Sequence, residues 1–175
     1  CLFSNDSVSD NGSISHNGSS VYLFKCKDSI LNSFFNNNKG LDCIYIDSCN
    51  NSYLYNNSVY NNSKTAIRLK INSNSILDSN IIFNNNGNSN NIWGGGIVSD
   101  NDFSIISRNH FYNNKAQKGG AIYTQSSNNI INNNIISNNI SQFEGAGIFT
   151  LNSISNIKGN YVLNNFISGI YNGAG

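Results

Sequence analysis

Residues 97–124 read IVSDNDFSIISRNHFYNNKAQKGGAIYT, and they decide the fold. Apolar and polar residues alternate in three short runs, the first at Ile97-Val98-Ser99, the second around Ile106 and the third around Phe111. After Gly119-Gly120-Ala121 the first run begins again at Ile122-Tyr123-Thr124. Period-2 alternation over so few residues marks half-buried strands rather than helix. The first run recurs at Val21-Tyr22-Leu23, Ile44-Tyr45-Ile46, Ile67-Arg68-Leu69, Ile148-Phe149-Thr150 and Ile170-Tyr171-Asn172, at spacings of about 22 to 30 residues. A second apolar position recurs at Leu54, Leu77, Ile106, Ile131 and Ile157, and a third at Phe34, Val59, Ile82, Phe111, Ile136 and Val162.

A three-strand repeat that cannot bury its own apolar face must stack on copies of itself. Strand-to-parallel-strand connections are overwhelmingly right-handed. The expected fold is therefore all-β, a right-handed single-stranded parallel β-helix, a solenoid of about seven rungs with three sheets. The whole chain, 1–175, forms one domain, with 1–20 as an irregular or partial first rung and 21–175 as regular rungs.

Asparagine repeats in the same phase. One column is Asn32, Asn57, Asn80, Asn109, Asn134 and Asn160, two residues before the third apolar position. A second column follows it by four residues at Asn36, Asn61, Asn84, Asn113, Asn138 and Asn164. Stacked at the parallel-strand spacing of about 4.8 Å, their amides can bond from rung to rung where the chain turns sharply. Small residues precede each first run (Ser20, Cys43, Ala66, Gly96, Ala121, Gly147, Gly169), as expected where a turn packs closely on its neighbour.

The 39 Asn, 27 Ser and 24 Ile among 175 residues suggest low complexity, but disordered sequence has no reason to keep such phase. With ten basic and nine acidic residues scattered along the chain, there is no electrostatic footprint for nucleic acid. No apolar run approaches the roughly 18 residues of a membrane span. Cys1 in first place, with no Met anywhere, suggests a piece of a longer polypeptide. The four cysteines form no CxxC pair and His16 and His110 lie far apart, so no metal site is expected. Cys26 and Cys49 occupy equivalent places in adjacent rungs and form either a disulfide or a stacked pair of free thiols. Seven Asn-x-Ser sequons are what this composition yields by chance.

The stretch Ile44-Tyr45-Ile46-Asp47-Ser48-Cys49-Asn50-Asn51-Ser52 resembles a common rung of the pectin-lyase-like class of right-handed parallel β-helix repeat proteins. Phe83 to Asn86 followed by Gly94-Gly95-Gly96-Ile97, and Phe111 to Asn114 followed by Gly119-Gly120-Ala121-Ile122, are similar to the FxxN and GGA[IVL] repeats of polymorphic outer membrane proteins and adhesin-like surface proteins. Glu144-Gly145-Ala146-Gly147 departs from that pattern. The resemblance implies that an Asn column lies in the turn between the second and third strands. It also implies that segments 36–43, 61–66, 84–96, 113–121, 138–147 and 164–169 are loops beside the functional face, and that the protein is extracellular or on the cell surface.

On the first sheet, alternation points Tyr22, Tyr45, Arg68, Val98, Tyr123, Phe149 and Tyr171 outward, with Phe24, Asp47, Lys70, Asp100, Gln125 and Leu151 two residues on. Such a strip either binds an extended polysaccharide or simply stacks on itself, since aromatics favour strands. Trp93, the single Trp, either stacks on a sugar or packs over the small-residue column. Asp47 and Asp100 lie two rungs apart with Lys70 between them, close to an inverting carboxylate pair, or else form a salt-bridged ladder. A lyase would need Arg68 or Lys70 as base beside Ca2+ held by Asp47, Asp100 and Asp102; apart from that alternative no cofactor is expected.

The expected function is a non-catalytic cell-surface or secreted β-helix domain, adhesin-like, whose partner is a polysaccharide or a cell-surface protein. A polysaccharide lyase or glycoside hydrolase segment and a structural spacer are the alternatives. Uncapped rungs invite end-to-end self-association.

Overall fold

The computed structural model describes residues 2–4, 7–9, 20–39, 41–71, 73–87 and 93–169. Ile170-Tyr171-Asn172 lies outside them. Every strand pair is parallel, and successive strands of a sheet come from successive turns of the chain. The first sheet stacks Val21–Phe24, Ile44–Asp47, Ile67–Lys70, Ile97–Asp100, Ile122–Gln125 and Ile148–Leu151. The second stacks Leu2–Ser4, Ser29–Leu31, Tyr53–Tyr55, Ile76–Asp78, Ile105–Ser107, Ile130–Asn132 and Asn156–Lys158. The third stacks Ser7–Ser9, Phe34–Asn36, Ser58–Tyr60, Ile81–Phe83, His110–Tyr112, Ile135–Ser137 and Tyr161–Leu163.

Three sheets are not the whole cross-section. A fourth is built from Asn86–Gly87, Lys115–Lys118, Ile140–Glu144 and Phe166–Ile167, inside segments expected to be loops. Its inward positions are the small residues Gly87, Ala116 and Ser141, so alternating hydrophobicity does not announce it.

Each rung turns by the same device. A strand ends, one residue takes a left-handed conformation, and the next points inward. After the second sheet the left-handed residues are Asn32, Asn56, Ser79, Arg108, Asn133 and Gly159; after the third they are Asn37, Asn61, Asn84, Asn113, Asn138 and Asn164. Asparagine tolerates this region because its short side chain bonds locally. The inward residues that follow form two amide ladders. Asn57 N and Nδ2 both donate to Asn80 Oδ1, at 2.9 and 3.0 Å, and Asn57 Nδ2 also donates to Ile30 O at 2.8 Å. The pattern continues through Asn80, Asn109, Asn134 and Asn160. The second ladder runs Asn38, Asn62, Asn85, Asn114, Asn139 and Asn165.

Two expectations are corrected by one residue. Asn36, Asn61, Asn84, Asn113, Asn138 and Asn164 are not inner ladder members; all but Asn36 are the left-handed corner residues themselves. In the rung at 29–38, Ser33 rather than Asn32 accepts the inner place, its N–H donating to Asn57 Oδ1, and Phe35 rather than Phe34 enters the core. Doublets such as Phe34-Phe35 and Asn84-Asn85 read equally well in either phase, and only the neighbouring rung chooses between them.

The core is a stack of apolar side chains: Ile30, Leu54, Leu77, Ile106 and Ile131 from the second sheet, with Phe35, Val59, Ile82, Phe111 and Ile136 from the third. Each fully buried side chain contributes about 1.5–3 kcal/mol. Toward the C-terminal half, the inward column Leu23, Ile46 and Leu69 of the first sheet gives way to Ser99 and Thr124. These polar groups are satisfied: Asn129 Nδ2 donates to Ser99 Oγ at 2.8 Å, and Ser99 Oγ reaches Ser127 Oγ and Asp102 Oδ2.

A third left-handed corner follows the first sheet, at Lys25, Ser48, Ile71, Asn101, Ser126 and Asn152. Ile71, at φ 54° and largely exposed, is the residue least suited to it. Ile71→Asn is expected to stabilise the protein by about 1–2 kcal/mol. A thermal melt should show this as a rise of about 2–8 °C; a lower midpoint would mean the Ile71 side chain is held by contacts that outweigh its strain.

Candidate functional site

The first-sheet columns are in the register expected, Tyr22↔Tyr45↔Arg68↔Val98↔Tyr123↔Phe149 and Phe24↔Asp47↔Lys70↔Asp100↔Gln125↔Leu151. The strip is nevertheless not an open surface. Tyr45, Val98 and Tyr123 are 5%, 1% and 1% exposed, while Tyr22 remains 44% exposed at one end.

The glycine motif explains the cover. Gly119, at φ 64°, lies so close to the next strand that an added Cβ would meet Ile122 O at 2.6 Å and Tyr123 Cβ at 2.8 Å. The incoming segment is thus pressed against the outward side chain of the strand it leads into. Trp93 completes the cover by stacking on Tyr123 at 5.1 Å, and Tyr123 stacks on Phe149 at 5.5 Å. Lys118 Nζ sits 5.3 Å over the Phe149 ring and pairs with Glu144 at 2.7 Å. The Tyr123 hydroxyl donates to Gln125 Oε1 at 2.8 Å, and burial pushes the Tyr123 and Tyr45 phenols up. The Trp93 ring thus lies on Tyr123 of the strip, whereas the sequence pointed to the small-residue column or a sugar, and 39% of the residue is still exposed.

The charged residues of this sheet are brought together only in part. Arg68 is drawn aside to Asp42, which accepts from its Nε and Nη2. Asp47 accepts from Ser48 Oγ at 2.8 Å and Asp100 from Asn101 Nδ2 at 2.9 Å. Asp102 turns inward and is fully buried, accepting from Ser73 N and Ser73 Oγ at 2.7 Å each. It belongs to the interior, so Asp47, Asp100 and Asp102 do not converge, and these residues do not fit a calcium ion. Among the described residues no three His, Cys, Asp or Glu side chains gather as a metal site. Cys26 and Cys49 are free thiols with Sγ atoms 3.1 Å apart.

A different surface is open. At the corner between the third and fourth sheets lies a groove of about 480 Å³, lined by Asn84, Asn113 and Asn138 on one side and Asn86, Lys115 and Ile140 on the other, with Asn85 beneath. The first three are left-handed corner residues of consecutive rungs, all at φ 54°. The facing three are in register, Asn86↔Lys115↔Ile140. Amide groups therefore repeat along the helix axis at about 4.8 Å. Beside them runs an aromatic stack: Tyr60 on Phe83 and Phe83 on Tyr112, each at 4.7 Å and within 6° of parallel. The next rung places Ser137 after Tyr112. The signal in the sequence was the aromatic-Asn-Asn pattern at 83–85 and 112–114, whose first Asn faces out and second faces in.

A family model described as right handed beta helix region matches residues 21–175. No curated protein and no solved structure matches the chain.

Proposed function

Since the chain belongs to the right-handed β-helix region family, we propose that it is a non-catalytic repeat domain of a cell-surface or secreted, adhesin-like protein, and that it presents an elongated face to a polysaccharide. The groove at the corner between the third and fourth sheets carries this reading. Its amides both donate and accept, as paired sugar hydroxyls require, Lys115 adds one cation, and the aromatic column supplies an apolar border. Rung repetition supports it too, because a periodic ligand meets the same groups again at each step along the axis.

Glycine at Asn113 and Asn138 keeps the left-handed backbone and deletes the amides. The double variant Asn113→Gly, Asn138→Gly is expected to lose about tenfold in retention on the polysaccharide that the parent chain binds best, at two lost hydrogen bonds of about 0.7 kcal/mol each. Its melting midpoint should stay within a few degrees of the parent. Affinity electrophoresis across acidic and neutral polysaccharides, with reducing ends assayed in parallel, is the measurement. No retention of the parent chain on any of them would remove the carbohydrate reading in favour of a protein-binding face or a spacer. Release of reducing ends, abolished by Asp47→Asn, would make it a hydrolase or lyase of the pectin-lyase-like class.

The last described rung leaves Ile157 and Val162 about half exposed on the inward columns. End-to-end self-association through such a rung belongs to the same proposal, and sedimentation that does not change with concentration would exclude it.

A further inference from the structure

Two residues after the first-sheet strands that end at Asp100, Gln125 and Leu151 the chain points inward into a polar ladder of Asp102, Ser127 and Ser153, which Ser73 joins three residues after Lys70. Its first members are Cys26 and Cys49. The register Phe24↔Asp47 and the bond from Asn50 N to Cys26 O at 2.9 Å set the two cysteines one rung apart. Adjacent strands are about 4.8 Å apart, inside the Cα range of about 4.4–6.8 Å that a disulfide spans. The side chains already meet, with 3.1 Å between sulfurs.

Their surroundings differ. Cys49 is fully buried, whereas Cys26 is partly exposed and lines a cavity of about 440 Å³ together with Lys25, Lys27, Ser48, Asn50 and Asn51. Two lysines at the mouth favour an anionic visitor. Cys43, by contrast, is fully buried against Ser20 Oγ and Asn38 Nδ2, lines no part of this cavity, and has its thiol pushed up to about 12 by burial.

We propose that Cys26 and Cys49 are an oxidative modification site, in which a small anionic disulfide of the glutathione type enters the cavity and leaves adjacent rungs joined by a disulfide. Cys26 loses its proton to solvent and attacks one sulfur of the small disulfide, forming a mixed disulfide and expelling one small thiolate. The Cys49 thiol then gives up its proton, by way of the cavity, to the expelled small thiolate and its sulfur attacks the Cys26 sulfur, closing the Cys26–Cys49 bond and expelling the second small thiolate. The second thiolate takes from solvent the proton that Cys26 released, so two protein thiols are oxidised and one small disulfide is reduced to two thiols. Burial and the neighbouring Asp28 push the Cys26 thiol up, so the first step is slow near neutrality.

The test incubates the full chain with glutathione disulfide at mildly alkaline pH, blocks remaining thiols by alkylation, and maps peptides by mass spectrometry. A linked Cys26–Cys49 peptide is expected, with Cys43 alkylated only after unfolding. Cys49→Ser should stop at the first step and accumulate glutathione on Cys26, whereas Cys43→Ser should form the Cys26–Cys49 link unchanged. The linked protein should melt about 5–10 °C higher than the thiol form. A lasting mixed disulfide on Cys26 in the unsubstituted chain, linkage of Cys26 to Cys1 instead, or recovery of both thiols alkylated would each overturn the proposal. So would a linked form that melts lower, because the bond would then strain the rungs it joins.

Discussion

Asn109→Ala is expected to destabilise the protein by about 3–5 kcal/mol, visible as a fall of about 6–20 °C in the melting midpoint. Asn109 is 1% exposed and lies midway along its ladder. Its Oδ1 accepts from Asn80 N and Asn80 Nδ2, both at 2.9 Å, and its Nδ2 donates to Leu77 O at 2.9 Å and Asn134 Oδ1 at 3.1 Å. Alanine removes these partners from Asn80 N, Asn80 Nδ2 and Leu77 O of the preceding rung and from Asn134 Oδ1 of the following one; Asn80 Nδ2 keeps Leu54 O and Asn134 Oδ1 keeps Asn109 N, so Asn80 N and Leu77 O lose most, in a corner closed to water. Each such group costs about 1–3 kcal/mol, more than the hydrogen bond itself contributed. Asn86→Ala, at an exposed position of the fourth sheet, should change stability by about 0.5 kcal/mol or less. Equal shifts from the two variants would mean that the inner ladder does not hold the rungs in register.

Gly120→Ala has the second large effect, a loss of about 2–4 kcal/mol, and the reason is contact rather than backbone conformation. An added Cβ would lie 2.4 Å from Ala146 O and 2.7 Å from Ile140 O. Both are main-chain atoms of the following turn, so relief requires that turn to move away and weakens bonds such as Gly120 N to Gly145 O and Ile122 N to Gly147 O. Gly147→Ala is the control, because its added Cβ meets its nearest atom, Asn165 Nδ2, only at 3.3 Å. Comparable melting of the two variants would show that the Gly-Gly-Ala turn is not a tight contact.

Why these turns are tight bears on the site as well. Alternation correctly placed Tyr45 and Tyr123 on the outward side of the first sheet, since strand direction fixes the side to which each residue points. Outward is not the same as exposed. Whether a layer of chain lies over a sheet depends on how the segment before the strand returns, and here Gly119 and Trp93 bring it down onto Tyr123. Asp102 illustrates the same gap: near Asp100 in sequence, it is separated from it by a left-handed corner at Asn101 and so faces the interior.

The repeat itself was legible from residues alone. Period-2 apolar positions, returning asparagines and small residues before each first run all report one requirement, that a rung bury its inner face and bond its corners on a near-copy of itself. That requirement acts at every rung, so it leaves a mark in composition and phase, and family, strand order and core follow from it. What only the tertiary structure decided lies where the mark is degenerate. The doublets Phe34-Phe35 and Asn84-Asn85 satisfy the pattern in two phases, and contact with the adjacent rung selected one. The fourth sheet, with Gly87, Ala116 and Ser141 inward, has no apolar alternation to betray it. The groove between Asn113 and Lys115 arises from a corner closing against that sheet, a relation between columns that no single repeat contains.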